Sequence, residues 1–312
     1  MTDNSKVAFV FPGQGSQQVG MLAGLAEKWP VVGETFAEAS DALGYDLWQL
    51  VQDGPQEKLN LTENSQPALL TASVAIWRLL VSGGLTQPAL LAGHSLGEWS
   101  ALVCADVIRF QDAVKLVQLR GRYMQEAVPV GQGTMAAIIG LDDEAIADAC
   151  QSAAQSDVVT AVNFNSPGQV VIAGHAQAVE RAMELCKQAG AKRALLLPVS
   201  APFHTSLMKP AAERLAVHIE NTEFQAPSIP VVHNVNAKTE VVPPLIKGLM
   251  IEQIYAPVQW VQCVNTMVSE GVSEVVECGP GKVLGGLVKR IAKPVTCAST
   301  DSVDAVQALL NQ

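Results

Sequence analysis

A serine between two glycines is the residue of this 312-residue chain best placed to do chemistry. The segment Gly93-His94-Ser95-Leu96-Gly97 follows an apolar run and precedes a stretch compatible with a helix. This G-x-S-x-G pattern predicts a nucleophile elbow, a strained turn that exposes the serine hydroxyl at the carboxyl end of a sheet. The glycines let strand and helix pass closely, and the helix N-terminus offers free N–H groups to an oxyanion.

A serine nucleophile needs a base to accept its proton, and the chain has five histidines. We favour His204, because its loop follows an apolar segment at the point where the chain would re-enter a cleft; His94, on the other side of the turn, is a poor base. No Asp or Glu suits the third position of a triad, since Glu98 follows the serine too closely on the same helix. A backbone carbonyl would be sufficient, because one N–H···O=C bond fixes the imidazole tautomer.

Arg120 lies on a predicted helix with a largely apolar face, and it shares a helical face with Met124. Two interpretations stay open from the residues alone. Arg120 could pair with a surface acid near the helix end, which the residue types by themselves favour. Alternatively, it could be a bidentate clamp for a substrate carboxylate.

The composition restricts the class of protein. Hydrophobic residues make up 49% of the chain and charged residues 16%, so we expect a folded protein with an aliphatic core. A net charge of −10 argues against binding nucleic acid. The six cysteines show no C-x-x-C pair or metal spacing, which indicates free thiols in a reducing cytoplasm and no metal site. The polar N-terminus leads into an apolar run of only five residues, so we expect a soluble, cytoplasmic protein without a membrane partner.

The remaining sequence predicts the elements that position these residues. Residues 7–11 are typical of a buried strand, and the loop at 12–17 could bring backbone N–H groups close to a ligand. Alternating strand and helix patterns predict an α/β fold, in which an α/β-hydrolase-like large domain is built on a parallel sheet with helices on its faces. We predict helices at 20–27, 31–43, 67–82, 110–127, 211–221, 245–254 and 258–270, and strands at 88–92, 229–234 and 274–277.

A different pattern begins at Pro129. It predicts strands at 134–140, 158–164, 170–174 and 194–199, with helices at 142–156 and 177–189. The order βαββαβ is that of a ferredoxin-like unit. We therefore predict a small ferredoxin-like domain over 129–199, inserted into a large domain of residues 1–128 and 200–312, with a ligand cleft between the two.

Six motifs along the chain carry a resemblance. They are the runs at 11–17, 93–98, 120–122 with Met124, 163–169, 200–204 and 277–281. In this order they resemble the malonyl-CoA:acyl-carrier-protein transacylases of bacterial type II fatty-acid synthesis, over nearly the whole chain. Such a set is far more specific than the elbow alone.

The resemblance implies roles for individual residues. Ser95 would take the malonyl group from coenzyme A as an ester and pass it to the phosphopantetheine thiol of acyl carrier protein. His204 would be the base, and the backbone carbonyl of Gln253 would orient it, which would account for the missing acid. Backbone N–H groups of Gln14 and Leu96 would form the oxyanion hole.

The resemblance also assigns the substrate pocket. Arg120 would clamp the free carboxylate, and His94, Asn163 and Met124 would line the pocket. Phe203 matches the bulky residue that malonyl-selective acyltransferases have before the histidine, where it would crowd an extra α-methyl group. One methyl group is worth only about 1–3 kcal/mol of discrimination in a pocket.

The partners implied are malonyl-CoA and acyl carrier protein, with no metal, no bound cofactor, and a monomeric enzyme. An acidic chain must meet anionic partners with a local basic patch, and the candidates are Lys192, Arg193, Lys282, Lys289 and Arg290. Solvated surface residues are an equally good interpretation of each.

Three rival functions stay open. An α/β-hydrolase-type esterase or thioesterase would have the elbow but would need a triad acid and no inserted unit. A non-catalytic carrier-protein-binding module would have no need of Ser95, His204 and Arg120. A transferase for methylmalonyl or acetyl groups would keep the chemistry and change the acyl chain.

Overall fold

The computed structural model describes residues 7–199 and 201–311. Residues 1–6, Gln312 and Ser200, the first residue of the 200–204 motif, lie outside the described residues. The strands are β1 (Val7–Phe11), β2 (Leu90–Gly93), β3 (Gly133–Ile139), β4 (Val159–Ser166), β5 (Gln169–His175), β6 (Arg193–Leu196), β7 (Val231–Val232), β8 (Glu274–Glu277) and β9 (Thr296–Ser299).

The helices surround two sheets. They are α1 (Ala23–Lys28), α2 (Pro30–Leu43), α3 (Leu47–Asp53), α4 (Gln56–Asn60), α5 (Thr62–Ser82), α6 (Leu96–Cys104), α7 (Phe110–Glu126), α8 (Asp143–Ala154), α9 (Ala176–Gln188), α10 (Lys209–Glu220), α11 (Pro243–Glu252), α12 (Trp260–Ser269), α13 (Val283–Ile291) and α14 (Val303–Leu310). A 3₁₀ turn, Ser206–Met208, precedes α10.

The first sheet is parallel and has the strand order β7-β2-β1-β8-β9. Successive side chains of a strand point to opposite faces. In β1, Val7, Phe9 and Phe11 accordingly join one buried cluster, and Ala8 and Val10 join another. Both faces of the sheet are therefore covered, as is usual for parallel sheets.

The second sheet is antiparallel and has the order β4-β5-β3-β6. Its elements follow one another along the chain as βαββαβ, the predicted order. Ala136 and Ile138 of β3 pack with α8 and α9, while Met135 and Val171 belong to the large cluster shared with the first sheet. The second sheet is thus packed between its own helices and the rest of the molecule.

Most predicted elements are present, with differences that have physical causes. The helix predicted to begin at Pro67 begins at Thr62 and contains the proline. The strands predicted at 194–199 and 229–234 are shorter in the structure, where they correspond to β6 and β7. Helices α3, α4, α13 and α14 and strand β9 were not predicted. Helices α3 and α4 are seven and five residues long, too short to show periodicity.

None of the described helices is long and apolar enough to cross a membrane. The longest, α5, is buried along most of its length and packs against α2, α6 and α7. Its contact with α7 is especially close at Gly121, where a Cβ atom would lie 2.4 Å from the carbonyl oxygen of Thr62. This approach brings the neighbouring Arg120 into the interior.

We predict that Gly121→Ala lowers the free energy of unfolding by about 1–3 kcal/mol, because the added methyl group forces α7 away from the backbone of α5. Urea denaturation measures the change. The matched control is Gly248→Ala in α11, where nothing lies within 4 Å of the added Cβ. The control should be neutral or stabilising by up to about 1 kcal/mol, since alanine is the better helix former. If the two substitutions changed the free energy of unfolding equally, the close approach of α7 to α5 at Gly121 would be contradicted.

Candidate active site

Ser95 lies in the turn between β2 and α6, with φ 50° and ψ −106°. This conformation costs a side-chain-bearing residue about 1–3 kcal/mol, which the surrounding structure must offset. The flanking glycines are required by close contacts. A Cβ on Gly93 would lie 1.9 Å from the carbonyl carbon of Gly97, and a Cβ on Gly97 would lie 2.0 Å from the carbonyl oxygen of Phe11. The predicted elbow is therefore present.

The side chain of Asn234 holds this turn on both sides of the serine. Its Oδ1 accepts a hydrogen bond from the Ser95 backbone N–H at 2.7 Å, and its Nδ2 donates to the Gly93 carbonyl at 2.7 Å. Asn234 is fully buried just after β7. These bonds stabilise the strained turn from a distant part of the chain.

His204 contacts the serine hydroxyl directly. Its Nε2 lies 2.7 Å from Ser95 Oγ, and its Nδ1 lies 2.9 Å from the carbonyl oxygen of Gln253. Because a carbonyl oxygen can only accept, Nδ1 carries the ring proton and Nε2 is left to accept the serine proton. His204 also has a positive φ, 62°, so both members of the pair have a strained backbone.

The electrostatic surroundings keep His204 neutral. Burial, followed by the charge of Arg120, lowers the pKa of His204 from 6.5 to about 3. At neutral pH the imidazole is unprotonated at Nε2 and is available as a base. Protonation in the folded state is disfavoured until the pH falls far below the ordinary range of histidine.

Arg120 is buried in α7, with 1% of its surface exposed. Its Nη1 donates to Gln66 Oε1 at 2.9 Å. Its Nη2 donates to Gln253 Oε1 at 3.0 Å and to Ser95 Oγ at 3.2 Å. All of these acceptors are neutral, and the hydrogen bonds and ion pairs of the described residues include no carboxylate partner for Arg120. The interpretation as a surface ion pair is therefore wrong.

The guanidinium remains a cation despite its burial. Burial lowers the pKa of Arg120 to about 10, and the charge of Glu98 opposes this effect. Among the described residues this buried cation has only neutral hydrogen-bond partners. Such a cation, next to the Ser95 hydroxyl, is suited to bind an anionic group of a ligand.

The loop after β1 packs directly against the elbow. A Cβ on Gly13 would lie 2.6 Å from the His94 carbonyl oxygen, and Gln14 Nε2 donates to Ser65 Oγ of α5 at 2.9 Å. Leu96 is the first residue of α6. Within the described chain, the backbone N–H groups of Gln14 and Leu96 make no hydrogen bond, so both are available to an oxyanion.

The second sheet contributes to the same region. His94 Nε2 lies 2.8 Å from Asn165 Oδ1 of β4, which joins the elbow to the antiparallel sheet. Asn163, also in β4, forms a backbone bridge to Val258, and its Oδ1 is buried with no hydrogen-bond partner among the described residues.

The apolar candidates lie inside the molecule. Met124 and Phe203 are buried in one apolar cluster. A cleft of about 990 Å³ opens beside the loop of Gln14 and is also lined by residues 197–199, which follow β6. The cleft is thus bounded in part by the loop after β1 and by the segment after β6.

Sequence reasoning missed three residues of this site. Gln66 lies in the first turns of α5, which the pattern at Pro67 had excluded from the helix. Glu98, rejected as a triad acid, is fully buried and accepts from His233 Nδ1 at 2.7 Å. Asn234 had no periodic signal, because it follows a strand of only two residues. One signal for Glu98 was available in the sequence: it is the one charged residue of an otherwise apolar helix, one turn after Ser95. Such a position indicates a buried charge.

Comparison with known proteins gives a consistent result. The family model described as acyl transferase domain matches residues 8–301. The chain is 60% identical over 306 residues, 98% of its length and 99% of the relative's, to the malonyl CoA-acyl carrier protein transacylase of Escherichia coli strain K12.

Two solved structures are similar over 98% of this chain. One is an acyl carrier protein S-malonyltransferase from Vibrio cholerae, with 62% identity, 100% of that chain covered and a TM-score of 0.96. The other is a malonyl-transacylase in complex with a type II PKS acyl-carrier protein, with 56% identity, 99% of that chain covered and a TM-score of 0.97.

We predict that the reactivity of Ser95 is almost independent of pH between 7.5 and 5.5, because the pKa of His204 lies near 3. An ordinary histidine, with a pKa near 6.5, would lose about tenfold in reactivity at pH 5.5. The rate of Ser95 modification by a fluorophosphonate, followed by intact-protein mass spectrometry, measures this. A tenfold fall with a midpoint near pH 6.5 would show that His204 titrates normally.

Proposed function

The chain belongs to the acyl transferase family, and we propose that Ser95 carries the acyl group as an ester during its reaction. The activity is that of a malonyl-CoA:acyl-carrier-protein transacylase, which supplies malonyl groups for fatty-acid synthesis. Its partners are malonyl-CoA and acyl carrier protein. The observation that carries the residue assignment is the buried, carboxylate-free Arg120 at 3.2 Å from the Ser95 hydroxyl.

In the first half-reaction, Ser95 Oγ attacks the thioester carbonyl of malonyl-CoA while His204 Nε2 accepts the hydroxyl proton. The negative charge that develops on the carbonyl oxygen is stabilised by the backbone N–H groups of Gln14 and Leu96. When the C–S bond breaks, His204 returns its proton to the coenzyme A thiolate. The malonyl group is then an ester on Ser95.

The second half-reaction reverses these steps with a different thiol. The phosphopantetheine thiol of the carrier protein gives its proton to His204 and attacks the ester carbonyl. Ser95 leaves as the alkoxide and takes the proton from His204. The Gln253 carbonyl keeps the imidazole in the tautomer that both halves require.

Arg120 selects and orients the acyl group. Its guanidinium pairs with the free carboxylate of malonate, and this fixes which carbonyl faces Ser95. Asn163, His94, Met124 and Phe203 form the pocket around the acyl chain in this proposal. The buried side chain of Phe203 restricts the space for an α-methyl substituent.

The transferase proposal also fits the absence of an acid from the catalytic pair. The partner of His204 Nδ1 is the Gln253 carbonyl rather than a carboxylate, unlike the triad expected of an esterase. We propose that the second sheet covers the ester and limits the access of water, so that transfer exceeds hydrolysis. A non-catalytic module would gain nothing from a strained serine held at 2.7 Å from a neutral histidine.

We extend the proposal to the architecture. The order β4-β5-β3-β6 with α8 and α9 on one face supports a ferredoxin-like unit over 129–199, inserted into an α/β-hydrolase-like domain of 1–128 and 200–312.

All six cysteines are free, which supports a reducing, cytoplasmic location. We retain the monomer as our proposal, and the chemistry above uses only side chains and backbone groups of the chain, without a metal or bound cofactor.

Carrier recognition requires a basic surface near the site. Of the sequence candidates, Lys282 pairs with Asp301 at 3.1 Å and Arg290 donates to Gln169 at 2.7 Å. Lys192 and Arg193 are exposed at the start of the edge strand β6. Because both side chains are exposed and no ion pair of the described residues includes them, we favour these two residues for contact with an anionic surface of the carrier protein.

We predict that malonyl-CoA adds one malonyl group to the wild-type protein and none to Ser95→Ala, because the variant lacks the attacking oxygen. Intact-protein mass spectrometry detects the adduct. Holo carrier protein added to a second aliquot should remove it and gain the same mass. An adduct on Ser95→Ala would place the nucleophile elsewhere, and an ester lost to water but never to the carrier would favour the hydrolase.

We predict that Arg120→Ala lowers kcat/KM for malonyl-CoA by at least about 100-fold, since removing one partner of a buried charge pair costs several kcal/mol. Acetyl-CoA, which has no free carboxylate, should lose far less. The matched control is Arg122→Ala on the same helix, whose side chain is exposed and pairs with Glu63 at 3.1 Å. If Arg120→Ala leaves malonyl selectivity unchanged, the assignment of the clamp is wrong.

A further inference from the structure

Glu98 is a fully buried carboxylate that the mechanism above does not use. It lies on α6 one turn after Ser95, and its backbone N–H donates to the Ser95 carbonyl at 3.1 Å. Its Oε1 accepts from His233 Nδ1 at 2.7 Å. Its Oε2 accepts from the Asn234 backbone N–H at 3.1 Å and from Gln253 Nε2 at 2.7 Å. Three donors from two distant segments therefore converge on one carboxylate.

The side chain of Gln253 connects this carboxylate to the cation. Its Nε2 donates to Glu98 and to the Ser95 carbonyl at 2.9 Å, while its Oε1 accepts from Arg120 Nη2 at 3.0 Å. The two ends of the amide are thus chemically distinct. Turning the amide over would bring its NH₂ group against the guanidinium and its oxygen against Glu98, so Glu98 fixes the orientation in which Arg120 is bound.

The position of the amide explains how a buried cation is stabilised without being blocked. A carboxylate in direct contact with Arg120 would occupy the guanidinium bidentately and compete with the carboxylate of a substrate. With one amide between them, Glu98 still acts electrostatically on Arg120. The guanidinium meets only neutral acceptors, and its Nε has no partner among the described residues.

We propose that Glu98 is a positioning residue for the acyl carboxylate, acting through the Gln253 amide to hold Arg120 in a charged and unoccupied state. This inference rests on the proposed malonyl transfer and deepens it. Glu98 touches neither substrate nor the reacting atoms of Ser95 and His204. Its effect should therefore appear in the choice between acyl groups with and without a free carboxylate.

The test compares Ser95 acylation by malonyl-CoA and acetyl-CoA in wild type and Glu98→Gln, by single-turnover kinetics. Glutamine has the same shape but one acceptor oxygen, so it cannot accept from all three donors. Hydrogen bonds to charged groups are stronger than those between neutral groups. We therefore expect the ratio of kcat/KM for malonyl-CoA to kcat/KM for acetyl-CoA to fall about tenfold in Glu98→Gln. KM for malonyl-CoA should rise more than kcat falls.

The matched control is Glu277→Gln. Glu277 is also fully buried and accepts backbone hydrogen bonds from Leu284 at 3.1 Å and Gly285 at 2.8 Å, at the start of α13. We expect a lower melting temperature and an unchanged acyl ratio. If the role of Glu98 were purely structural, Glu98→Gln would likewise lower the melting temperature and leave the malonyl-to-acetyl ratio unchanged. A ratio that falls in Glu98→Gln but not in Glu277→Gln therefore supports the proposal.

A second variant keeps the inference testable if Glu98→Gln does not fold. Gln253→Met removes the amide but leaves Glu98 and the Gln253 carbonyl that holds His204. It should lower the same ratio by about as much, and in a double-mutant cycle the Glu98→Gln/Gln253→Met protein should show little further loss. Additive effects on the ratio would contradict action through Gln253.

The outcomes separate this inference from the function on which it rests. If wild-type Ser95 takes no malonyl group, both fail. If wild type is acylated normally and Glu98→Gln or Gln253→Met keeps the ratio within about twofold, only the positioning role is overturned.

Discussion

A positive charge buried beside the Ser95 hydroxyl is the constraint around which the candidate active site is built. Moving a guanidinium out of water costs several kcal/mol even after relaxation, so its surroundings must supply hydrogen bonds with good geometry. Gln66 from α5, Gln253 after α11 and the Ser95 hydroxyl supply them, all as neutral acceptors. Glu98 on α6 acts on the charge through the amide of Gln253. Three separate parts of the chain, namely α5, the start of α6 and the residue after α11, must therefore assemble around α7 before Arg120 is stable in its position.

The same assembly sets the chemistry of the base. Burial, and after it the charge of Arg120, lowers the pKa of His204 and keeps the ring neutral, and the Gln253 carbonyl decides which ring nitrogen bears the proton. A carbonyl partner fixes the tautomer without adding a negative charge. A carboxylate in that position would stabilise the protonated imidazole and would also attract the guanidinium away from an anionic substrate. Gln253 binds His204 through its backbone carbonyl and Arg120 through its side-chain amide. Because both groups are neutral, the guanidinium stays available to an anionic ligand.

The backbone is strained at both of the residues that we propose to react. Ser95 and His204 both have positive φ values, and neither is glycine. The elbow is held by Asn234 and by the contacts of Gly93 and Gly97. The second sheet contributes through the contact of His94 with Asn165, so the antiparallel unit helps to fix the turn.

The sequence alone determined the local features of this protein. The G-x-S-x-G turn and the strand of residues 7–11 follow from chain-local sterics and side-chain alternation, and the six ordered motifs indicated the family. Periodicity also predicted the βαββαβ order. It missed α3 and α4, which are too short for a pattern, and it made β7 too long. It also failed at the start of α5, where Pro67 suggested a helix N-terminus that lies five residues earlier.

Only the tertiary structure decided which charges are buried and what they contact. From the residues, Arg120 was better explained by a surface ion pair, and Glu98 was set aside because of its spacing from the serine. Burial and hydrogen bonding are set by elements up to 158 residues apart, such as Gln253 and Ser95, and no local pattern encodes such a pairing. The free energy of a buried charge depends on all of its neighbours at once, and those neighbours are known only when the chain is folded.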